Sequence, residues 1–172
     1  MTGEVRAEDA ARAAAHLAAT GWRADGPLPD LRITHAQSFQ AGDGAYLDLH
    51  WRLLWELVDG EGMDDVWRRS IAARLGQGEV QVPAPTDLFR HVVVHGARWS
   101  RVPAIRWVAD AMAVLSHAGA SFDWPLLVDD AIRHDLVLPL RDALRLLAET
   151  FGADVPASAQ SALAAHRPSR FA

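Results

Sequence analysis

The stretch Gly44–Leu57, GAYLDLHWRLLWEL, begins with the alternation of a strand, ends with the spacing of a helix, and places an aspartate and a histidine at the seam. Successive side chains of a strand point to opposite faces, so Asp48 and His50 share one face while Leu47 and Leu49 share the other. Two readings are open. Either the polar pair faces solvent at a sheet edge, or Asp48 is one carboxylate of a metal site whose partners lie elsewhere. Upstream, LRITHAQSF over residues 31–39 is a second β-rich run, and the intervening QAGDG carries the glycines and aspartate of a tight reversal. Residues 31–53 are therefore predicted to form a hairpin.

Outward from this hairpin the texture turns helical. AEDAARAAAHLAAT, residues 7–20, has acidic residues in its first turn, is dominated by alanine and is closed by Gly21. Further helices are predicted over Met63–Leu75, Thr86–Trp99 with Thr86 as N-cap, Ala104–His117, Trp124–His134 and Leu136–Phe151. A short β-like run, EVQVP, separates the first two of these. Leu88, Val92, His95 and Trp99 share one helical face, and Ile105, Val108, Met112 and Leu115 share another, so the two stripes are expected to pack together. The tail from Val155 is alanine-rich with weak periodicity and reads as frayed at HRPSRFA. The expected fold class is α+β: a small antiparallel or mixed sheet, with the Ala7–Thr20 helix on one face, and a predominantly α-helical C-terminal bundle. Residues 1–58 form the α/β portion and 59–172 the bundle.

Composition narrows the chemistry. Of 172 residues, 50% are apolar and 23% charged, which suits a globular chain able to bury a core. A net charge of -5 and scattered arginines leave no basic field for a phosphate backbone, so autonomous nucleic-acid binding is not expected. There is no cysteine, which excludes disulfides, thiolate metal sites and cysteine nucleophiles and suits a reducing cytoplasm. All 17 basic residues are arginine, which removes P-loop and Schiff-base lysine chemistry. No apolar run reaches membrane-spanning length and the N-terminus is charged, so a cytoplasmic protein without a membrane partner is expected.

Outside the hairpin, His91 and His95 lie four residues apart on one helix, the spacing that lets two imidazoles reach one zinc ion. Val92 stands where helical zinc proteases carry glutamate, however, and no third ligand follows, so satisfied histidines are the simpler reading. Asp110, flanked by Arg106 and Trp107, lies one helix further on. A His95–Asp110 contact between neighbouring helices, with Trp99 and Trp107 packed around it, would be a polar clasp or a second layer of support; no serine in a nucleophile elbow is placed to use it. Six tryptophans, Trp51, Trp55, Trp67, Trp99, Trp107 and Trp124, fall at helical spacings or element ends, as core and interface anchors do.

EDAARAAAHLAATGW, YLDLHWRL, PAPTDLFRHVVVHGARW, IRWVADAMAVL and DWPLLVDDAIRHDL, in that order, resemble the body of an uncharacterised bacterial nucleotidyltransferase-like family with a polymerase-β-type core and a helical C-terminal part. The resemblance spans nearly the whole chain. Its most specific elements are Asp48–Trp51 and the spacing from His95 to Asp110. The implied chemistry is nucleotidyl transfer on divalent cations held by two carboxylates on one strand and a third on its neighbour. Asp48 matches the third position, as the expected catalytic and metal-binding carboxylate, with His50 lining the same face.

The departures from that pattern matter as much. The family's glycine-containing turn and the strand bearing Asp-x-Asp or Asp-x-Glu are not found, and the sequence opens about where the residues after that strand would begin. One carboxylate does not hold two magnesium ions, because magnesium demands near-ideal octahedral oxygen coordination. Magnesium is thus expected only if the missing N-terminal carboxylates are supplied. Three readings stand: an N-terminally shortened nucleotidyltransferase-like protein, inactive as an isolated chain; a degenerate relative kept as a binding or regulatory module; or a helical interaction protein with an accidental resemblance. A nucleotide is the expected small-molecule partner, and an exposed sheet edge is expected to allow a homodimer.

Overall fold

The computed structural model describes residues 2–55, 57, 61–98 and 105–167, which divide into two compact units, Met1–Asp64 and Asp65–Ala172.

The first unit is a four-stranded mixed sheet in the order β1-β4-β3-β2, made of β1 (Thr2–Glu4), β2 (Arg23–Ala24), β3 (Ala36–Gln40) and β4 (Tyr46–His50). Strands β3 and β4 form the expected hairpin, with Ser38 opposite Asp48 and Phe39 opposite Leu47. The reversal works because Gly44 takes φ +87°, a conformation that side chains disfavour, while the Asp43 carboxylate accepts from Ala45 N at 3.0 Å. On one face Phe39, Leu47 and Leu49 form a buried cluster packed by Ala13, Ala14 and Leu17 of helix α1 (Ala10–Ala19). The alternation that hides these apolar residues obliges Ser38, Asp48 and His50 to occupy the opposite face.

Two features of this unit differ from expectation. Thr2–Glu4 forms a strand that pairs parallel with β4, so β4 is an inner strand and the edge lies at β1. Three residues are too few to show a period. The end of the opening stretch, residues 51–54, is a set of bends and not a helix. Trp51 is 1% exposed and donates its indole N–H to Thr34 O at 2.8 Å, and Leu53 and Leu54 are buried with it, so core anchoring overrides the local helical spacing.

Helix α2 (Glu61–Arg69) leads into the second unit. There the expected helix over Met63–Leu75 is broken: β5 (Ile71–Leu75) pairs antiparallel with β6 (Gly78–Val82) around Gly76 at φ +60°. The ribbon sets Ile71, Ala73, Leu75, Val80 and Val82 on one face and Arg74, Glu79 and Gln81 on the other, and Arg74 lies opposite Glu79. Helices α3 (Pro85–Arg98), α4 (Arg106–Ala118), α5 (Trp124–Arg133), α6 (Val137–Phe151) and α7 (Ala157–Ala165) build the bundle. Its core includes Phe89, Val93, Val94, Leu127, Leu140, Leu144 and Leu147.

Several sequence expectations are corrected here. Thr86 lies inside α3, whose first residue is Pro85, and its hydroxyl accepts from Asp123 N at 3.0 Å. The capping aspartate of α5 is Asp123, which accepts from Leu126 N at 2.9 Å. In the weakly patterned tail, α7 buries Ala159 and Leu163; most of the stretch expected to fray, residues 168–172 of HRPSRFA, lies outside the described residues. On α3 the buried stripe contains Phe89, Arg90, Val93 and Val94, while His95 is exposed. Ile105, just before α4, is 70% exposed, and on α4 Trp107, Val108 and Ala111 are buried. Trp99 and the Ser100–Pro103 connection fall outside the described residues.

Candidate functional site

Asp48 sits on inner strand β4, partly exposed, on the face turned away from α1. Its Oδ1 accepts from the Ser38 hydroxyl at 2.6 Å across the hairpin, a charge-assisted bond that fixes the carboxylate plane. Arg52, the arginine nearest in sequence, instead donates to Thr34 O at 3.3 Å and Arg32 O at 3.2 Å, and no ion pair to Asp48 occurs among the described residues. His50 is buried and lies opposite Glu4 of β1 in register. Its ring meets His35 edge-on with centroids 5.3 Å apart, and His35 meets Trp55 at 5.6 Å. Trp55 is 43% exposed. The polar sheet face thus carries the tethered carboxylate and His50, and ring contacts continue from His50 to His35, just before β3, and on to Trp55, in the turn beyond β4.

This donor set does not make a magnesium site by itself. Among the described residues, no three histidine, aspartate or glutamate side chains are grouped so as to hold a metal ion. Asp48 offers one hard oxygen ligand, and magnesium binds in near-ideal octahedral geometry while giving up its water reluctantly.

The second constellation named from the sequence is arranged differently from expectation. Helices α3 and α4 do pack together, but His95 and Asp110 are both exposed, as is Arg106 at the start of α4. A buried polar clasp is therefore not formed. The contact is made by Trp107, which is 8% exposed and lies where a Cβ on Gly96 would fall 2.2 Å from its own Cβ. Glycine at 96 is what lets the helices approach this closely. His91 and His95 stack nearly parallel, at 17° and with centroids 5.3 Å apart.

Sequence reasoning missed the most buried polar cluster. Arg69 of α2 grips Asp87 of α3 with two bonds, at 2.8 and 2.7 Å. Arg90 donates to Asp87 at 3.0 Å and also to Asp130 of α5, and Asp130 lies 3.4 Å from Arg69. Arg90, Asp87 and Asp130 are all under 4% exposed. The two-pronged donation of Arg69 to the Asp87 carboxylate holds the guanidinium pKa above its ordinary value. Burial pushes Arg90 down, opposed by the two aspartates. Two arginines and two aspartates sum to zero charge, the condition under which such groups tolerate a low dielectric. The available signal was the placement of Asp87 and Arg90 beside Phe89, Val93 and Val94 on one helical face.

The chain matches the family described as uncharacterised nucleotidyltransferase over residues 4–152, and it belongs to that family. No curated protein and no solved structure matches it. Among the described residues, no helix is long and apolar enough to cross a membrane.

Proposed function

We propose that this chain contributes one carboxylate, Asp48, to a magnesium-dependent nucleotidyl-transfer centre whose two other carboxylates come from polypeptide outside these residues. The observation that carries the reading is the placement of Asp48, on an inner strand, on the polar sheet face, with one oxygen bonded to Ser38 and, among the described residues, no ion pair to an arginine. A metal ligand has to be accessible, and Asp48 is partly exposed. Ser38 is the positioning residue. His50 lines the face beside it and would order the polar groups of a bound nucleotide.

On this reading the isolated chain neither binds magnesium tightly nor turns over a nucleotide, because one carboxylate cannot order two hydrated ions. The test is complementation. Joined to a segment that supplies a glycine-rich turn and an Asp-x-Asp strand, the protein should gain magnesium-dependent transfer, and Asp48→Asn in that protein should abolish transfer without unfolding it. Full activity in the Asp48→Asn protein, or saturable magnesium binding by the short chain at micromolar concentration, would overturn the proposal.

A second reading, a binding or regulatory module, is favoured by one feature of the bundle. A half-open groove of about 570 Å³, bounded by Met112, Leu115, Ser116, Phe122, Trp124 and Asp154, has the size of a small-molecule site. If the protein works this way, filling the groove with Leu115→Trp should abolish function while Asp48→Asn should leave it unchanged.

A further inference from the structure

We propose that His91 and His95 form a two-imidazole chelate on α3 for a late first-row divalent ion, copper(II) in preference to nickel(II) or zinc(II), with water completing the coordination. The proposal stands apart from the Asp48 site and does not depend on it. The two residues are one helical turn apart, so the backbone sets their spacing before any ion arrives. Their rings lie at 17° with centroids 5.3 Å apart, and neither belongs to the buried stripe of α3. A metal bound by two imidazoles has metal–nitrogen distances of about 2.0–2.1 Å, which sets adjacent nitrogens about 3 Å apart. A centroid separation of 5.3 Å leaves both rings within reach of one shared ion.

The donor chemistry selects the ion. Imidazole nitrogen suits copper, nickel and zinc, whereas magnesium takes hard oxygen. The chain has no cysteine to offer a competing thiolate. Because no third histidine, aspartate or glutamate joins the pair among the described residues, the remaining positions are open to water or to a donor from outside. An ion held by the folded helix but not by the unfolded chain stabilises the bundle in proportion to the logarithm of its concentration.

The experiment titrates the full 172-residue chain with copper(II), nickel(II), zinc(II) and magnesium chlorides at constant pH in a non-coordinating buffer, read by calorimetry. One saturable copper site should appear, with weaker nickel and zinc binding and none for magnesium. His91→Ala and His95→Ala should each weaken copper binding roughly tenfold or more, because either loses the second, intramolecular donor. His117→Ala, an exposed histidine on α4, should leave it unchanged. His95 is exposed, so its variant should stay folded even if His91→Ala does not. Paramagnetic broadening by substoichiometric copper should strike the His91 and His95 imidazoles first. Wild-type copper affinity in His95→Ala, or broadening that begins at other histidines, would overturn the proposal.

Discussion

Arg90 has 1% of its surface exposed, yet it carries a full charge into the bundle between Asp87 and Asp130. Each ion loses several kcal/mol of hydration on burial, and only the mutual attraction and hydrogen bonds of the group offset that loss. The network is therefore worth little in total but is costly to break at one point. Asp130→Ala leaves Arg90 facing one partner fewer in a dry site and should destabilise the protein by about 3–5 kcal/mol in urea unfolding. Asp110→Ala removes an exposed carboxylate and should change stability by less than about 0.5 kcal/mol. A loss above 2 kcal/mol at Asp110, or below 1 at Asp130, would reverse the assignment of which aspartate supports the bundle. The contrast also explains why the sequence misled at this scale. Asp87 and Arg90 are three residues apart on a helix, the spacing of an ordinary surface ion pair, and their complements Arg69 and Asp130 come from elements that no local pattern connects to them. Asp48 was legible for the opposite reason: its face follows from strict alternation within one strand.

At the scale of elements, the tightest constraint is the crossing of α3 and α4. A Cβ at Gly96 would lie 2.2 Å from Trp107 Cβ and 2.9 Å from Cγ, so alanine fits only if the helices move apart. Alanine in a helix interior normally gains about 1 kcal/mol over glycine. Here the overpacking cost of about 1–3 kcal/mol or more should exceed that gain, giving a net loss of stability. Thermal melts of Gly96→Ala check this: the change should lower Tm, and a Tm equal to or above that of the wild type would show that the α3–α4 crossing absorbs the added methyl without cost. The hairpin β3–β4 and the bodies of α1, α5 and α6 were readable from periodicity and turn residues, because each buries a face with a clean repeat. The β5–β6 ribbon was not. Its Ile71 and Leu75 are 49% and 71% exposed, so apolar character there does not report burial, and the preceding residues continue a helical pattern up to Arg69. Helix α7 was missed for a related reason, since alanine gives so little contrast between its buried and exposed sides that only Leu163 marks the inner face.

For the whole molecule, acid is the condition that tests several of these interactions together. Arg32 hydrogen-bonds Asp30 through side chain and backbone and holds its carboxyl down to about 2, and Arg68 holds Asp65 below the usual carboxylate value of 3.8. A carboxyl whose folded pKa is depressed contributes stability that is present above its unfolded pKa and lost as pH falls through the folded value. Both groups therefore stabilise the protein at neutral pH; Asp30 stops doing so between about pH 4 and pH 2, and Asp65 as pH falls through its lowered value. Both pairs are solvent-exposed to differing degrees, so each contributes modestly and is weakened by salt. A second effect acts in the same direction. With 17 arginines, 8 histidines and no lysine, protonating the 22 carboxylates turns a chain of net charge -5 strongly positive, and self-repulsion then opposes the compact state. Urea midpoints measured at neutral pH, near pH 4 and near pH 2.5 should fall monotonically, with most of the loss below pH 4. Asp30→Asn should lower the neutral-pH midpoint slightly and flatten the decline, because it removes one carboxyl whose protonation differs between folded and unfolded chain. Added salt should recover part of the loss at low pH by screening the positive charge and should recover none of the part due to Asp30 and Asp65. If the Asp30→Asn protein follows the wild-type curve at every pH, the Arg32 pair contributes nothing to folding, and the acid transition belongs to net charge alone.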